Sequence, residues 1–205
     1  MGEPAVAERA LRADAQRNLE SILEAAAATF ADKGLDASVA DIARRAGVGQ
    51  ATIFRRFETK DDLIAAVMEQ RLGLLIEAAD GASRRKRAWD GLREFMLAAT
   101  ELHARDRAVL QSMAERLKAE ERMPDHVADL KAQLLSEVGA LVERAKTEGD
   151  LRKDVAAQDI PVLICGAAQS GAMMPGAGDD VWKRYLQISL DGLRADCRGR
   201  LKPCV

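Results

Sequence analysis

Aromatic side chains are scarce in this sequence: two Trp, one Tyr and four Phe among 205 residues. Strands draw on aromatic and β-branched residues, so this poverty argues against an all-β fold. Cysteine is thin as well. Cys165, Cys197 and Cys204 are an odd number without CxxC spacing, which argues against a disulfide framework and a zinc finger. They read as reduced, apolar thiols. The only two histidines, His103 and His126, have neither HxxxH nor HExxH spacing, so no metal site and no cofactor is expected. No run approaches the ~18 apolar residues of a membrane span. The first residues carry early acids and lack the apolar core of a signal peptide, so the expected location is the cytoplasm. An excess of either charge is also missing. Lys and Arg number 31 against 33 Asp and Glu, a net charge of −2, which excludes a polybasic tail. Any nucleic-acid contact must come from a local patch.

What is present is helix-forming. Apolar residues make up 48% of the chain, enough for a core, and Ala, Leu, Arg and Glu dominate. The length allows one ordinary domain, or a small module followed by a moderate one. Leu19, Ile22, Leu23, Ala26, Ala27 and Phe30 recur with helical spacing from about Gln16, and Gly34 closes that segment. Residues 1–15 show no stripe and are expected to form a flexible arm. Two short helices follow, from Asp41 to Ala46 and from Gln50 to Phe57. A longer one opens at Thr59 and runs to about Asp80. GASRRKR (81–87) reads as a solvated linker. Long helices are expected beyond it, over 87–103, 106–119, 124–149, 156–173 and 179–197. The fold class is all-α, with about nine helices and no internal repeat.

The segment SVADIARRAGVGQATIFRRF (38–57) carries the chemistry. Two short helices flank a Gly47-Val48-Gly49 turn. Close crossing needs a small residue one turn before the glycine, and Ala43 stands there. Gly47 suits a left-handed backbone, and Ile42, Ala46, Val48 and Ile53 stand where an apolar underside is needed. This is the pattern of a helix-turn-helix, whose second helix enters the major groove. The exposed positions of that helix are Gln50, Ala51, Thr52, Arg55 and Arg56. Gln can bond adenine bidentately and Arg can bond guanine O6 and N7. Residues 38–60 hold Arg44, Arg45, Arg55, Arg56 and Lys60 against Asp41 and Glu58, a local basic patch in a neutral chain. Ser38, at a helix N-terminus, is placed to cap the helix or to bond a phosphate.

On these residues, positions 17–70 resemble the DNA-binding domain of the TetR family of bacterial one-component transcriptional regulators. The run carries DIAxxAGV (41–48), a recognition helix of the form T-x-[aromatic]-x-x-F (52–57) and the following x-x-K-x-x-L, with Lys60 and Leu63. The resemblance implies base or nearby backbone contacts from Gln50, Thr52 and Arg55, and a phosphate contact from Lys60. It departs at two positions. Phe54 replaces the usual Tyr and lacks its hydroxyl, while Arg56 replaces the usual His and adds a charge. The implied organisation is an arm (1–15), a helix-turn-helix domain (16–60), a connecting helix (61–80) and a helical effector-binding and dimerisation domain (81–205).

The implied partners are double-stranded operator DNA, a small-molecule effector and a second copy of the chain, with no membrane. The effector is expected among the long helices, lined by Phe95, Met96, Met113, Leu117, Leu130, Leu134 and Met173, with His103 and Gln169 as polar contacts. The same Met-rich faces can equally be filled core. The dimer is expected through 156–173 and 179–197, using Leu163, Ala167, Gly171, Val181, Tyr185, Leu186, Leu190 and Leu193. Packing within one chain is the alternative. No glycine-framed nucleophile or carboxylate–histidine arrangement supports an enzyme. The expected function is a ligand-responsive repressor of a palindromic operator. The alternative is a helical protein-binding adaptor.

Overall fold

The computed structural model describes residues 3–106, 124–174, 176, 178, 180–197 and 199–202, with side chains from Asp14 onward. Eight helices make up this part: α1 (Glu3–Lys33), α2 (Val39–Ala46), α3 (Gln50–Phe54), α4 (Lys60–Ser83), α5 (Ala88–Arg105), α6 (Asp125–Thr147), α7 (Asp159–Met173) and α8 (Val181–Gly192). Among the described residues there is no strand, only an isolated antiparallel bridge between Leu151 and Arg194. The helix expected over 106–119, with Met113 and Leu117, lies outside the described residues beyond Asp106, as does Cys204.

The all-α expectation holds, but several boundaries move. Helix α1 starts at Glu3, so residues 3–15, expected as an arm, are helical. Pro4 sits in the first turn, where its missing N–H is not needed, and Ala, Glu and Arg follow it. Helix α3 ends at Phe54 rather than Phe57. Helix α4 passes through Gly81 to Ser83, which shortens the expected linker. Arg144 holds that end, its Nη1 donating to the Ser83 carbonyl at 2.7 Å and its Nη2 to that of Arg85. Helix α7 starts late, at Asp159, whose Oδ2 accepts from the Ala156 N–H at 2.7 Å. Helix α8 stops at Gly192 rather than 197, where the chain turns into the bridge with Leu151.

The described residues form two compact units, 3–70 and 71–106 with 124–202, and the division falls within α4. In the first, Ile22, Ala26 and Phe30 of α1 meet Ile42 and Ala43 of α2, Ile53 of α3 and Leu63 and Val67 of α4, all buried. The α1 residues are four apart and the short helices supply one or two each, so α2 and α3 are held by tertiary burial rather than by their own propensity.

In the second unit, α5 is central and packs against α6, α7 and α8. Leu92 and Met96 of α5, Val142 of α6, Ile160 of α7 and Leu186 and Leu190 of α8 form its core. Gly91 is required there: a Cβ would lie 2.2 Å from the Ala82 carbonyl oxygen, so only glycine lets α5 cross the end of α4 so closely. The three arginines of the Arg84–Arg87 run meet carboxylates of the same unit: Arg84 pairs with Asp80, Arg85 with Glu94 at 2.6 Å and Arg87 with Asp150 at 2.9 Å. One buried ion pair ties α4 to the end of α5: Arg71 Nε lies 2.6 Å from Asp106 Oδ2, with both side chains almost fully enclosed.

Candidate nucleic-acid interface

Helix α2 begins at Ser38, whose backbone is extended (φ −78°, ψ 153°) and whose Oγ accepts from the Asp41 N–H at 3.2 Å. The hydroxyl donates in turn to Asp41 Oδ2 at 2.8 Å. Its proton is therefore engaged by the cap, and the phosphate contact expected of Ser38 is not favoured by this geometry. Asp41 also faces Lys33 Nζ at 2.9 Å and Arg44 Nη1 at 3.0 Å. Lys33 and the Ser38 hydroxyl hold its carboxyl well below the usual carboxylate range, so it stays ionised and links the end of α1 to α2. Arg45 pairs with Asp32 of α1.

The turn forms as its glycines require. Gly47 adopts a left-handed conformation (φ 69°, ψ 26°), and the Val48 N–H donates to the Ala43 carbonyl at 3.0 Å, closing α2. Helix α3 then buries only Ile53. Gln50, Ala51, Phe54, Arg55 and Arg56 are exposed, and Thr52 is half-buried. Phe57, one turn beyond Ile53, is buried and anchors the end of the segment. Among the described residues Arg55 forms no ion pair, in contrast to Arg44 and Arg45. Helix α4 opens with reciprocal capping: Asp62 N–H donates to Thr59 Oγ1 at 3.1 Å, and Thr59 N–H to Asp62 Oδ2 at 2.8 Å. Lys60, half-buried, is the first residue of that helix.

Arg56 is exposed but turned inward along the surface. Its Nη1 donates to the Ala15 carbonyl of α1 at 3.3 Å. A cleft of about 450 Å³ lies beside this contact, lined by Asp14, Ala15 and Asn18 of α1 and by Thr52, Arg55 and Arg56. No local pattern announces the α1 contribution. Residues 14–18 belong to no apolar stripe, and only the three-dimensional crossing brings them beside α3.

The expected pocket residues in the second unit do not all converge. Phe95 and Met96 are buried in the core, and Leu130 and Leu134 are half-buried on α6. His103, expected as a polar contact of the pocket, is half-buried. Its Nδ1 lies 3.9 Å from Cys165 Sγ, and burial pushes its pKa down despite the opposing charge of Asp106. Gln169 and Met173 are exposed, because they lie on the α7 face opposite Ile164 and Ala168. Met113 and Leu117 lie outside the described residues.

The expected dimer residues divide in the same way. Ala167, Leu186, Leu190 and Leu193 are buried in the core of their own unit, and Leu163 packs against it. Val181 is half-buried, while Gly171 and Tyr185 are exposed. The outer faces of α7 and α8 instead carry Val162 (69% exposed), Met173 (76%) and Ile188 (56%), with Met174 and Tyr185 joined by a Tyr185 O–H to Met174 Sδ hydrogen bond of 3.0 Å.

Two family descriptions match this chain. Residues 22–67 match that of bacterial regulatory proteins of the tetR family, and residues 88–195 match that of the SbtR-like transcriptional regulator C-terminal domain. Among solved structures, a TetR transcription regulatory protein from Mycobacterium vanbaalenii is 30% identical, covering 90% of this chain and 99% of that one at a TM-score of 0.66. The transcriptional regulator FadR of Bacillus subtilis, solved in complex with stearoyl-CoA, shares the fold at 19% identity, covering 85% of this chain and 98% of that one at a TM-score of 0.66. A further relative, the HTH-type regulator YvdT of Bacillus subtilis, is 40% identical over 63 residues. That match spans 30% of this chain and 32% of YvdT. With a helix-turn-helix built from α2 and α3 and a C-terminal domain matched along most of its length, the chain belongs to the TetR family of bacterial transcriptional regulators and is not an enzyme.

Proposed function

We propose that this regulator is a homodimeric repressor that reads a palindromic operator with α3 and is released by a small-molecule effector bound in the second unit. The observation that carries the DNA reading is the presentation of α3: one buried anchor, Ile53, and an exposed face of Gln50, Ala51, Phe54 and Arg55. In this reading Gln50, Thr52 and Arg55 reach base edges, and Lys60 meets a phosphate at the start of α4. Phe54 is 49% exposed and can pack on a thymine methyl or a sugar. Selection of duplexes from a random pool by the full-length protein tests this. A near-palindromic consensus is expected, with half-sites about one helical turn apart or slightly more. Arg55→Ala should then cost about 1–3 kcal/mol on the selected duplex and relax preference at one position. Lys60→Ala should weaken binding to every sequence and flatten the salt dependence. Absence of any sequence preference would favour the protein-binding adaptor.

The exposed apolar residues Val162, Met173, Met174, Tyr185 and Ile188 of α7, its end and α8 support the dimer, since clustered exposed apolar residues mark interaction sites and a two-fold contact repeats them on both partners. For the effector, half-buried Leu102, Leu134 and Leu163 border the core, and the His103–Cys165 contact is half-buried as well, which suits a largely apolar ligand with one polar contact. The acyl-CoA held by the Bacillus subtilis neighbour in the same fold supports that chemistry and makes stearoyl-CoA the first probe. An effector that weakens operator binding by about 10²-fold must itself bind that much more weakly when operator is present. Calorimetric titration of stearoyl-CoA with and without the selected duplex measures this. Equal affinities would remove this ligand from control of DNA binding.

A further inference from the structure

The second unit carries a basic cleft that neither the DNA reading nor the effector reading uses. The chain leaving α8 folds back across the residues that follow α6. Leu151 bridges to Arg194, and the Ala195 N–H donates to the Asp150 carbonyl at 3.0 Å. Arg152 braces the two segments: its Nη1 donates to the Gly192 carbonyl at 3.2 Å and its Nη2 to that of Gly199 at 2.7 Å. The cleft that these segments line has a volume of about 590 Å³, and its walls carry Lys146, Arg152, Lys153 and Arg200 against a single carboxylate, Asp154. Arg152 grips both oxygens of that carboxylate, at 2.6 and 3.0 Å, and the Leu201 N–H donates to it at 2.8 Å. These bonds hold Asp154 well below the usual carboxylate range, so it stays ionised and matched to Arg152. Three cations are left. Lys146 meets Glu143 at 2.7 Å, but that carboxylate is 70% exposed and off the cleft wall, so the pair is screened and weak. Neither Lys153 nor Arg200 forms an ion pair among the described residues. The carbonyls that end α6 and α8 would repel an anion if they were open, but they are closed within the fold. Those of Arg144 and Lys146 accept from the N–H groups of Glu148 and Gly149, and that of Gly192 from Arg152.

We propose that this cleft binds a small organic oxyanion bearing at least two negative groups, phosphate or carboxylate. In a chain of net charge −2, whose Arg84, Arg85 and Arg87 each meet a carboxylate of their own, uncompensated cations converge here on one recess. Arg200 offers a planar fork suited to a bidentate oxyanion, and Lys153 and Lys146 add point charges. A lone inorganic ion would leave most of the cleft unfilled, whereas about 590 Å³ is the size of a small-molecule site. Leu151 and Leu201 line the same cleft and give a carbon frame apolar surface to rest on. A ligand held by Lys153 after α6 and Arg200 after α8 adds a second tie between the segments that Arg152 already joins. The site shares no residue with the His103–Cys165 contact, so it stands whether or not an apolar effector binds there.

Pyrophosphate and citrate are the two probes, applied to the full-length protein at matched ionic strength. Calorimetry gives the affinity of each. Cys197 is exposed and lines the cleft, so its alkylation by uncharged iodoacetamide, followed by peptide mass spectrometry, reports occupancy there. Half-buried Cys165, outside the cleft, is the internal reference. At about four times its dissociation constant a probe that covers the thiol should slow Cys197 alkylation about fivefold, the reciprocal of the unoccupied fraction, and leave Cys165 unchanged. Lys153→Glu combined with Arg200→Glu alters two exposed side chains, and circular dichroism checks the fold. It should weaken probe binding by about tenfold or more, since like charges then face the anion. Protection by pyrophosphate alone would make the ligand a phosphate, by citrate alone a polycarboxylate, and by both an oxyanion of either kind. The basic face of α3 is another place where a polyanion can settle, so binding without protection of Cys197 would overturn the site. Wild-type affinity in the folded double variant, or no binding of either probe, would overturn it as well.

Discussion

Asp106→Leu should lower the stability of the second unit by about 3–5 kcal/mol, the range for removing one partner of a buried ion pair. The carboxylate lost is the one that Arg71 Nε faces at 2.6 Å, and Arg71 itself is only 4% exposed. A guanidinium cannot shed its proton to relieve burial, so the lost carboxylate leaves its positive charge less well compensated in a nearly enclosed site. Asp106 also faces Arg105 Nε at 3.3 Å, but that side chain is largely exposed and screened, and its loss adds little. The double variant Arg71→Met with Asp106→Leu removes both charges and should recover most of the stability, since apolar replacements of a buried pair are often neutral. Urea unfolding followed by circular dichroism measures all three proteins. A loss below about 1 kcal/mol in Asp106→Leu would mean that water reaches the pair and that it ties α4 to α5 only weakly.

That ion pair also marks where sequence reading stops. Nothing about Arg71 within an apolar-striped helix, or about Asp106 at a helix end, announces that they meet, because no local spacing relates residues on different helices. The helix-turn-helix was legible for the opposite reason. Ala43, Gly47, Val48 and Ile53 lie within a dozen residues, and each answers a local demand: a close crossing, a left-handed turn, a buried underside. Residues 3–15 carry no apolar stripe in the sequence, so periodicity could not announce that they are helical. The face of α8 was misread for a subtler reason. Its apolar residues occupy two sides of the helix: Trp182, Leu186, Leu190 and Leu193 on one, Tyr185 and Ile188 on the other. Periodicity alone detects both sides, and only tertiary packing decides which is core.

The two sides of α8 should respond in opposite ways to the same substitution. Leu186 has no exposed surface and Leu190 is 2% exposed, both within the core shared with α5 and α7. Leu186→Arg therefore forces an unpaired guanidinium into that core at a cost of several kcal/mol, comparable to the ~5–15 kcal/mol that holds a domain together. It should abolish the cooperative unfolding of the second unit rather than yield a folded monomer. Ile188 is 56% exposed on the outward face. Ile188→Arg leaves the core intact, and a dilute protomer should keep its circular dichroism spectrum. Across a two-fold axis, however, the two new cations would be brought together, and the dimer should dissociate. Sedimentation at micromolar concentration would then give a monomer. Because a monomer engages one half-site at a time, operator affinity should fall by about 10²-fold or more, the factor gained by linking two binding modules. Binding to an isolated half-site should change little. An Ile188→Arg protein that sediments as a dimer would move the interface off this face. A folded, monomeric Leu186→Arg would show that Leu186 faces the partner, and the register of α8 against its own core would have to be reassigned.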